Sequence, residues 1–412
     1  MMSQTNTISR DLNPQVNRRR YRILILAALL NFPTGAAALW SIFQPMAKEI
    51  YSLPQGSANM PFSVFMIAFV FGNICGGMSL NRFKPKTVIL LANIIMMIGI
   101  FTMGMVPVGQ PWLLSVTFGA LGGFGAGAGY NAVLATISKW FPDRKGFATG
   151  LIVFMVGAHG LIMAPIGNAL LNSLGFRNAA IVIAVGYAVI FFICLPFVHV
   201  PQDGFMSDYV PAGANAMASR KNYTVKEMVR TKEFYLITCA MAFGTAAYFI
   251  LNPMVKSLGM ERDLSEATAT GAIMILSIAN CLARLLVPTM SDKFGRTPML
   301  IITFAVCLAA VIGMMSATGM LYLICTFFVA FSYGASFGLF PSVVMDNFGP
   351  KNSGANYGVV MIGYGIVCLI CPSLVNAGVN VAFTAAAAAV IIGIILVLLL
   401  ARLNKKNRQD EA

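Results

Sequence analysis

The sequence predicts an all-α membrane protein with twelve transmembrane helices, and three observations lead to this prediction. Of the 412 residues, 58% are hydrophobic and only 10% are charged, whereas ordinary soluble domains carry roughly 25% charged residues. The mean hydropathy is +0.79. The apolar runs are too long for strands and long enough to cross a bilayer as helices. Soluble enzymes, nucleic-acid-binding proteins and disordered chains are therefore excluded.

Twelve apolar runs define the helices in order. Each run has the roughly 20 residues that a helix needs to cross the hydrocarbon core, and charged or turn-forming residues separate it from the next. No run shows the alternating pattern of a membrane β-barrel strand. The expected spans are 22–47, 59–81, 86–106, 110–138, 146–173, 177–198, 233–257, 266–290, 297–316, 320–346, 354–377 and 380–402.

The polar segments divide the chain into two units of six helices. Residues 1–21 form an N-terminal tail with four arginines, and no small-residue cleavage site follows the first apolar run, which argues against a signal peptide. Residues 199–232 are the one long polar stretch, and they separate a bundle at 22–198 from a bundle at 233–402. Residues 403–412 form a C-terminal tail.

Lys and Arg are distributed unequally between the two sides of the expected bundle. The tails, the central segment and the loops after helices 2, 4, 8 and 10 hold 23 of the 28, and the opposite side holds four. Basic residues are enriched in cytoplasmic loops. We therefore expect both termini in the cytoplasm, at a bacterial cytoplasmic (inner) membrane. This distribution accounts for the net charge of +14 without a nucleic-acid partner.

Two pairs of loops indicate that the second half repeats the first. Asn81 after helix 2 and Asp292 after helix 8 each precede a basic residue and a phenylalanine, and they are 211 residues apart. Gly146 after helix 4 corresponds to Gly354 after helix 10, at an offset of 208. Because the two offsets agree within three residues, they predict a duplicated six-helix unit, as in secondary transporters whose substrate site lies between repeats.

The loops after helices 2 and 8 resemble the signature loops of the major facilitator superfamily. Three further segments are similar to the oxalate/formate antiporter family, which is related to the monocarboxylate transporters. These are the run WFPDRKG at 140–146, the Asn280 and Arg284 pair before 291–296, and SFGLFPS at 336–342. The resemblance covers essentially the whole chain. It implies the major facilitator fold, with two pseudo-symmetric six-helix bundles and a cavity between them.

Arg284 is the only Lys or Arg deep within an expected span. A charge there costs roughly 2.5–3.5 kcal/mol on insertion scales, so something must compensate it. All 14 acidic residues lie in tails, in loops or near span ends, which leaves no carboxylate at that depth. We expect a substrate carboxylate to bind the guanidinium, with Asn280 one turn earlier orienting it or contacting the substrate. Snorkelling or backbone hydrogen bonds are the alternative.

Aromatic residues are expected to line the substrate site. The resemblance places Tyr130, Tyr333 and Phe337 where the oxalate exchanger has cavity aromatics, although each taken singly is also compatible with simple packing. The exchanger has a lysine in helix 11 where this chain has Tyr364, so one of two cationic groups for a dianion is missing. A monocarboxylate of the lactate, pyruvate or formate type is therefore favoured, with Tyr364 as a hydrogen-bond donor.

His159 in helix 5 and Trp40 in helix 1 are further candidates for substrate contact. For each, packing within the bundle is the alternative. Proton-carrying monocarboxylate transporters resemble helix 8 but place an acid at the position of Asn280, so the resemblance favours exchange or facilitated transport. Cytoplasmic charge clusters are expected to stabilise one conformation by joining helix ends, and these gating residues are Asn81, Arg82, Asp292 and Arg296.

The expected function is secondary active or facilitative transport of a small organic anion by alternating access, as an exchanger. The alternatives are an oxalate/formate-type dicarboxylate antiporter, a major facilitator exporter of drugs or metabolites, and a membrane receptor. No carboxylate pair, metal cluster or activated nucleophile lies at one depth, so we expect no enzyme activity, no metal and no cofactor. The expected partners are a small carboxylate and the lipid bilayer, and the expected state is a monomer.

Overall fold

The computed structural model describes residues 14–54, 57–202, 205–206, 222–371, 374 and 378–410, and every regular element in these ranges is a helix. Ten helical stretches there are long and apolar enough to cross a membrane. One of them, Lys145–Phe197, contains two spans. The fourth expected span adds another, because it is divided between a π-helical segment and an α-helix. The described part of the chain thus confirms the twelve-helix prediction.

The first six helices extend from Pro14 to Cys194. The first, α1, bends where a 3₁₀ turn at Phe32–Gly35 with a proline in its first turn interrupts the α-helix. The bounds are Pro14–Asn31 and Ala37–Tyr51 for α1, Met60–Ser79 for α2, Pro85–Met103 for α3, Ser115–Gly122 continuing as Gly123–Ile137 for α4, and Lys145–Cys194 for α5 and α6 together.

The last six helices follow a short helix at Val225–Met228. The seventh, α7, continues beyond its main segment through a 3₁₀ turn at Asn252–Met254 and a helix at Val255–Glu261. The bounds are Lys232–Leu251 for α7, Glu266–Phe294 for α8, Arg296–Ser316 for α9, Gly319–Phe348 for α10, Ser353–Ile370 for α11 and Val379–Asp410 for α12.

Gly175 separates α5 (145–174) from α6 (176–194). Its φ of 72° and ψ of 174° are not helical, and this region of backbone conformation is open almost only to glycine. The chain therefore reverses at one residue, which matches the loop expected between 173 and 177. A side chain at this position would strain the turn.

Glycines in α4 allow it to pack directly on the backbone of α2. A Cβ atom added at Gly123 would collide with backbone atoms of Phe65, and one added at Gly127 with those of Phe69. Small residues at such crossings are typical of membrane helices, because lipid provides no hydrophobic drive for their association. The first bundle therefore depends on close van der Waals packing.

The two bundles meet through four main helix pairs, which are α5 with α8, α2 with α11, α5 with α10 and α4 with α11. We use "terminal face" for the end of the molecule where α1, α5, α9 and α11 begin and α2, α4, α8, α10 and α12 end. Contacts between the bundles reach this face, where Gly146 of α5 lies against Pro288 of α8 and Gly77 of α2 lies against Gly354 of α11. The terminal face is therefore closed.

The terminal helices are longer than expected, because side chains tie their ends to the bundle. The first helix begins at Pro14 inside the expected tail 1–21, and Arg20 forms an ion pair with Asp143 at 2.7 Å. The last helix continues to Asp410 through most of the expected tail 403–412, where Asn407 donates to Glu233 at 2.7 Å. Parts of the expected central segment and of the eleventh span, residues 203–204, 207–221, 372–373 and 375–377, lie outside the described residues.

Candidate functional site

Arg284 lies in α8, about 15 Å from the end of that helix at the terminal face, at a rise of about 1.5 Å per residue. It is 6% exposed. Its Nε donates to Asn280 Oδ1 at 2.9 Å, and its Nη1 donates to the carbonyl oxygen of Val153 in α5 at 3.3 Å. Among the described residues, no carboxylate lies within ion-pair distance of this guanidinium. The side chain thus spans the contact between the two bundles, without an anionic partner in the described part of the chain.

The hydrogen bonds of Arg284 leave part of its binding capacity unused. A guanidinium has five N–H groups, and the two bonds above use one on Nε and one on Nη1. Gly157 of α5 lies beside the side chain, where an added Cβ would stand 3.1 Å from Arg284 Cδ. The absence of a side chain at Gly157 therefore makes room for the guanidinium at the bundle interface.

Two aromatic rings of α10 lie next to the guanidinium, and rings from α4 and α11 pack against them. Its Cζ atom lies 4.9 Å from the ring centre of Phe337 and 5.9 Å from that of Tyr333, which are cation–π distances. The hydroxyls of Tyr333 and Tyr364 are 3.2 Å apart. The ring of Tyr130 lies 6.0 Å from that of Phe337. The structure therefore brings Tyr130, Tyr333, Phe337 and Tyr364 together with Arg284.

Three aromatic residues that the sequence analysis missed extend this group. Tyr248 of α7 stacks on Tyr333 with ring centres 4.1 Å apart and planes inclined by 6°. The ring of Phe249 lies 5.4 Å from that of Tyr333, and the ring of Tyr357 lies 6.5 Å from that of Tyr130. Tyr357 precedes Tyr364 by two helical turns, so the periodicity of α11 carried a signal for it. For Tyr248 and Phe249 no such signal exists.

The structure places His159 inside the first bundle rather than beside Arg284. Its Nε2 is 2.5 Å from the hydroxyl of Tyr187 in α6, and its ring packs on Phe32 at 4.9 Å. The side chain is fully buried, and Nδ1 has no hydrogen-bond partner among the described residues. These contacts fit the packing alternative, so we leave His159 out of the candidate substrate site.

Trp40 also lies away from Arg284. Its indole Nε1 donates to the carbonyl oxygen of Ala58 at 2.8 Å, and its ring packs on Phe118 at 5.3 Å. Both neighbours belong to the first bundle, and Trp40 is 2% exposed. The indole N–H is therefore already satisfied, and Trp40 is likewise left out of the candidate substrate site.

Asp292 at the end of α8 connects the two bundles at the terminal face. Its carboxylate accepts hydrogen bonds from the backbone N–H groups of Gly146 and Phe147, both at 2.9 Å, and from Arg296 Nη2 at 2.6 Å. The first two donors belong to the first turn of α5, where a carboxylate is favoured by the unpaired N–H groups and the helix dipole. The expected neighbours Asp292 and Arg296 thus meet, and together they hold the start of α5.

A second carboxylate at the terminal face, Asp346 near the end of α10, was not expected. It pairs with Lys145 at the start of α5 at 2.9 Å and with Arg296 at 3.2 Å. Lys145, Arg296 and Asp346 are each 7% exposed. The Lys145–Asp346 pair joins the two bundles, and no local sequence signal links two residues 201 positions apart.

The first copy of the repeated loop is arranged differently. Arg82 is exposed and forms no ion pair among the described residues, and Asn81 lies at the start of the α2–α3 turn. Asn81 lines a cavity next to the first residues of α11. Within the described ranges, the ion pairs of the second copy therefore have no counterpart around Asn81 and Arg82.

Comparison with known proteins agrees with this architecture. The family model of the Major Facilitator Superfamily matches residues 24–372. An uncharacterized transporter of this superfamily, YhjX of Escherichia coli, is 26% identical over 85% of this chain and 86% of its own. The oxalate:formate antiporter of Oxalobacter formigenes is 24% identical over 84% of this chain and 83% of its own.

A solved structure shows the same fold. The fucose:proton symporter FucP of E. coli superposes with a TM-score of 0.70, at 14% sequence identity, over 92% of this chain and 98% of its own. The twelve helices, the two bundles and the match over most of the chain lead to one conclusion. The chain belongs to the Major Facilitator Superfamily of membrane transporters and is therefore not an enzyme.

Proposed function

We propose that this transporter carries a small monocarboxylate of the lactate, pyruvate or formate type by alternating access. One observation carries the proposal: the guanidinium of Arg284 is buried between the bundles with no carboxylate in ion-pair distance among the described residues. A buried charge needs a partner, and its planar fork matches a carboxylate in two parallel hydrogen bonds. The substrate supplies that partner.

The surroundings of Arg284 favour a substrate with one charge. Tyr333 and Tyr364 present paired hydroxyls, and Phe337 presents a ring face at 4.9 Å from the guanidinium carbon. A hydroxyl group on a short acid can bond to a tyrosine hydroxyl, whereas a second carboxylate would need a second cation. The aromatic residues around Arg284 supply none. A short monocarboxylate is therefore the better match for this group of side chains.

A dicarboxylate antiporter is the second candidate, because a relative that aligns with most of the chain is named an oxalate:formate antiporter. A competition assay separates the two candidates. Labelled lactate, pyruvate or formate should enter proteoliposomes, and unlabelled monocarboxylates should inhibit that uptake at concentrations at least tenfold lower than oxalate does. Stronger inhibition by oxalate would reverse the order of the candidates.

Substitution of Arg284 tests the central claim. We expect Arg284→Gln to reduce uptake at least 100-fold, because the glutamine amide carries no charge. Arg284→Lys should retain weak uptake, because lysine keeps the positive charge but lacks the planar guanidinium that can form two parallel hydrogen bonds. Arg177→Gln is the matched control, since Arg177 is exposed at the start of α6. Uptake by the Arg284→Gln variant at the rate of the unmodified protein would refute the proposal.

We further propose that transport is exchange and that the terminal face is cytoplasmic. An empty site with an unpaired cation resists occlusion, so reorientation should require a bound anion. The orientation is supported by the excess of Lys and Arg on that face. Counterflow in liposomes should therefore exceed net uptake at least tenfold. Equal rates would exclude obligatory exchange.

The Asp292, Arg296, Asp346 and Lys145 cluster is the proposed gate at the terminal face. Three of its contacts cross between the bundles, namely Lys145 with Asp346 and the two backbone N–H groups of α5 with Asp292. These bonds must break when the bundles separate at this end. The cluster therefore stabilises the conformation that is closed at the terminal face.

A further inference from the structure

The two bundles meet at two corresponding places on the terminal face, and among the described residues only one of these places contains a carboxylate. At the start of α5, Asp292 accepts hydrogen bonds from two backbone N–H groups. The corresponding place in the repeat is the start of α11, where Gly354 matches Gly146 and Asn81 matches Asp292. Asn81 carries no charge. Asn352, the residue before α11, forms no side-chain hydrogen bond that caps the helix. In the described part of the chain, the start of α11 thus has no anion like the one at the start of α5.

A cavity of about 30 Å³ occupies the position beside the start of α11. At about 10–15 Å³ for each water, it holds roughly two water-sized groups. Its lining includes two lysines, and no acidic residue is present among the described residues that line it. Its polar lining residues include Asn81, Lys139, Lys351, Asn352 and Ser353.

Ser353 gives an independent indication of a ligand. The residue is 5% exposed, and its Oγ is a buried polar atom without a hydrogen-bond partner in the described part of the chain. Buried hydroxyls without a partner are uncommon, because burial removes their hydrogen bonds to water and no protein hydrogen bond replaces them. Ser353 lines this cavity at the first residue of α11. Because the N–H of Ser353 bonds to the carbonyl oxygen of Pro350 at 3.4 Å, the donors at this end of α11 are the Ser353 hydroxyl and the N–H groups that follow it.

The cavity lies between the bundles. Asn81 belongs to the turn after α2, whereas Ser353 and Gly354 belong to α11. Close contacts surround it, because Gly77 lies against Gly354 and Asn131 of α4 donates to the carbonyl oxygen of Gly354 at 2.7 Å. An anion in the cavity would hold both sides together, as Asp292 does at the start of α5.

We propose that a small oxyanion from solution, such as phosphate, binds in this cavity and stabilises the closed terminal face. One or two of its oxygens accept hydrogen bonds from the Ser353 hydroxyl and from N–H groups at the start of α11, while Lys351 provides positive charge. The remaining oxygens face solvent, since Asn81 and Lys351 are exposed. This site is separate from Arg284 and does not depend on the identity of the transported acid.

The experiment measures binding of ³²P-labelled phosphate to the purified full-length protein, together with thermal unfolding in phosphate and in chloride at equal ionic strength. Phosphate should raise the unfolding temperature more than chloride does. Asn81→Asp should weaken phosphate binding at least tenfold, because the introduced carboxylate occupies the cavity and repels the anion. Asn347→Asp is the matched control, since it adds the same charge near the end of α10, outside the cavity lining, and should leave binding within twofold.

Two further variants make the outcome decisive. Ser353→Ala removes only the unpaired hydroxyl and should weaken phosphate binding severalfold, which tests the site even if Asn81→Asp does not fold. Arg284→Gln should bind phosphate as the unmodified protein does, because the two sites are separate. The proposal is overturned if phosphate does not bind, if neither cavity variant weakens its binding, or if Arg284→Gln abolishes it.

Discussion

At the scale of single residues, Asn280 determines how Arg284 presents its charge. The amide oxygen of Asn280 accepts from Nε at 2.9 Å, which fixes the plane of the guanidinium while adding no negative charge. A neutral acceptor therefore positions the cation and leaves its charge for the proposed substrate. A carboxylate in the same place would form an internal ion pair and compete with the substrate.

The variant Asn280→Asp tests this competition. At neutral pH the introduced carboxylate is ionised beside Arg284, and we expect substrate affinity to fall about 10- to 100-fold. As pH falls through the pKa of that carboxyl, protonation removes the competing charge and uptake should partly recover. Uptake measured against pH checks this, with Asn280→Ala as the control that lowers affinity without adding a new pH dependence. An unchanged affinity at neutral pH would contradict the account.

Tyr187 and His159 make a second residue-scale prediction. Tyr187→Phe removes the hydroxyl that bonds to His159 Nε2 and leaves two buried imidazole nitrogens without partners. We expect a loss of about 1–3 kcal/mol in the free energy of unfolding. Because the pair lies inside the first bundle, the substrate concentration at half-maximal uptake should stay within twofold. A tenfold change in that concentration would place His159 in the substrate site after all.

At the scale of elements, the contact between α4 and α2 depends on the lack of side chains on one face of α4. A Cβ at Gly127 would overlap backbone atoms of Phe69, and backbone cannot move aside as a flexible side chain can. The two helices would have to separate. In contrast, Gly186 in α6 has nothing within 4 Å of an added Cβ.

Matched glycine-to-alanine variants measure this difference. Gly127→Ala should destabilise the protein by about 1–3 kcal/mol, the usual cost of overpacking. Gly186→Ala should be neutral or stabilising by up to about 1 kcal/mol, because alanine favours the helix where there is room. Thermal unfolding of the two purified variants checks both. Equal stability of the two variants would show that α4 and α2 have room to separate at little cost.

At the scale of the whole molecule, ion pairs of similar burial have different roles according to which bundles they join. Lys145–Asp346 joins the first bundle to the second, whereas Arg20–Asp143 lies within the first bundle. In the proposed opening of the terminal face, the Lys145–Asp346 pair must break, whereas the Arg20–Asp143 pair stays intact. Each pair involves side chains that are about 5–11% exposed, so burial alone does not separate their effects.

Asp346→Asn should therefore shift the conformational equilibrium toward an open terminal face. The loss of the ion pairs with Lys145 and Arg296 should favour opening by about 1–3 kcal/mol, or roughly 5- to 150-fold in the population ratio. Distances between spin labels on the two bundles at this face measure the change. Asp143→Asn is the control, expected to lower stability without lengthening those distances. Equally lengthened distances in the two variants would contradict the difference proposed between the two ion pairs.

The sequence by itself determined the environment, the number of helices and the relation between the halves. Hydrophobic runs of sufficient length have one solution in a bilayer, since every backbone N–H and C=O must bond within a helix. The correspondence of Asn81 with Asp292, and of Gly146 with Gly354, predicted that the second half duplicates the first. Arg284 also emerged from sequence alone, because a solitary charge deep in an apolar run is costly wherever it points.

Only the tertiary structure decided which side chains meet. The stacking of Tyr248 on Tyr333 and the pairing of Lys145 with Asp346 join helices that are far apart in the chain, and no local pattern encodes such pairs. The helices also placed His159 and Trp40 in contact with residues of their own bundle. Composition and periodicity set which face of a helix is apolar, whereas the rotation and neighbours of each helix follow from packing all twelve together.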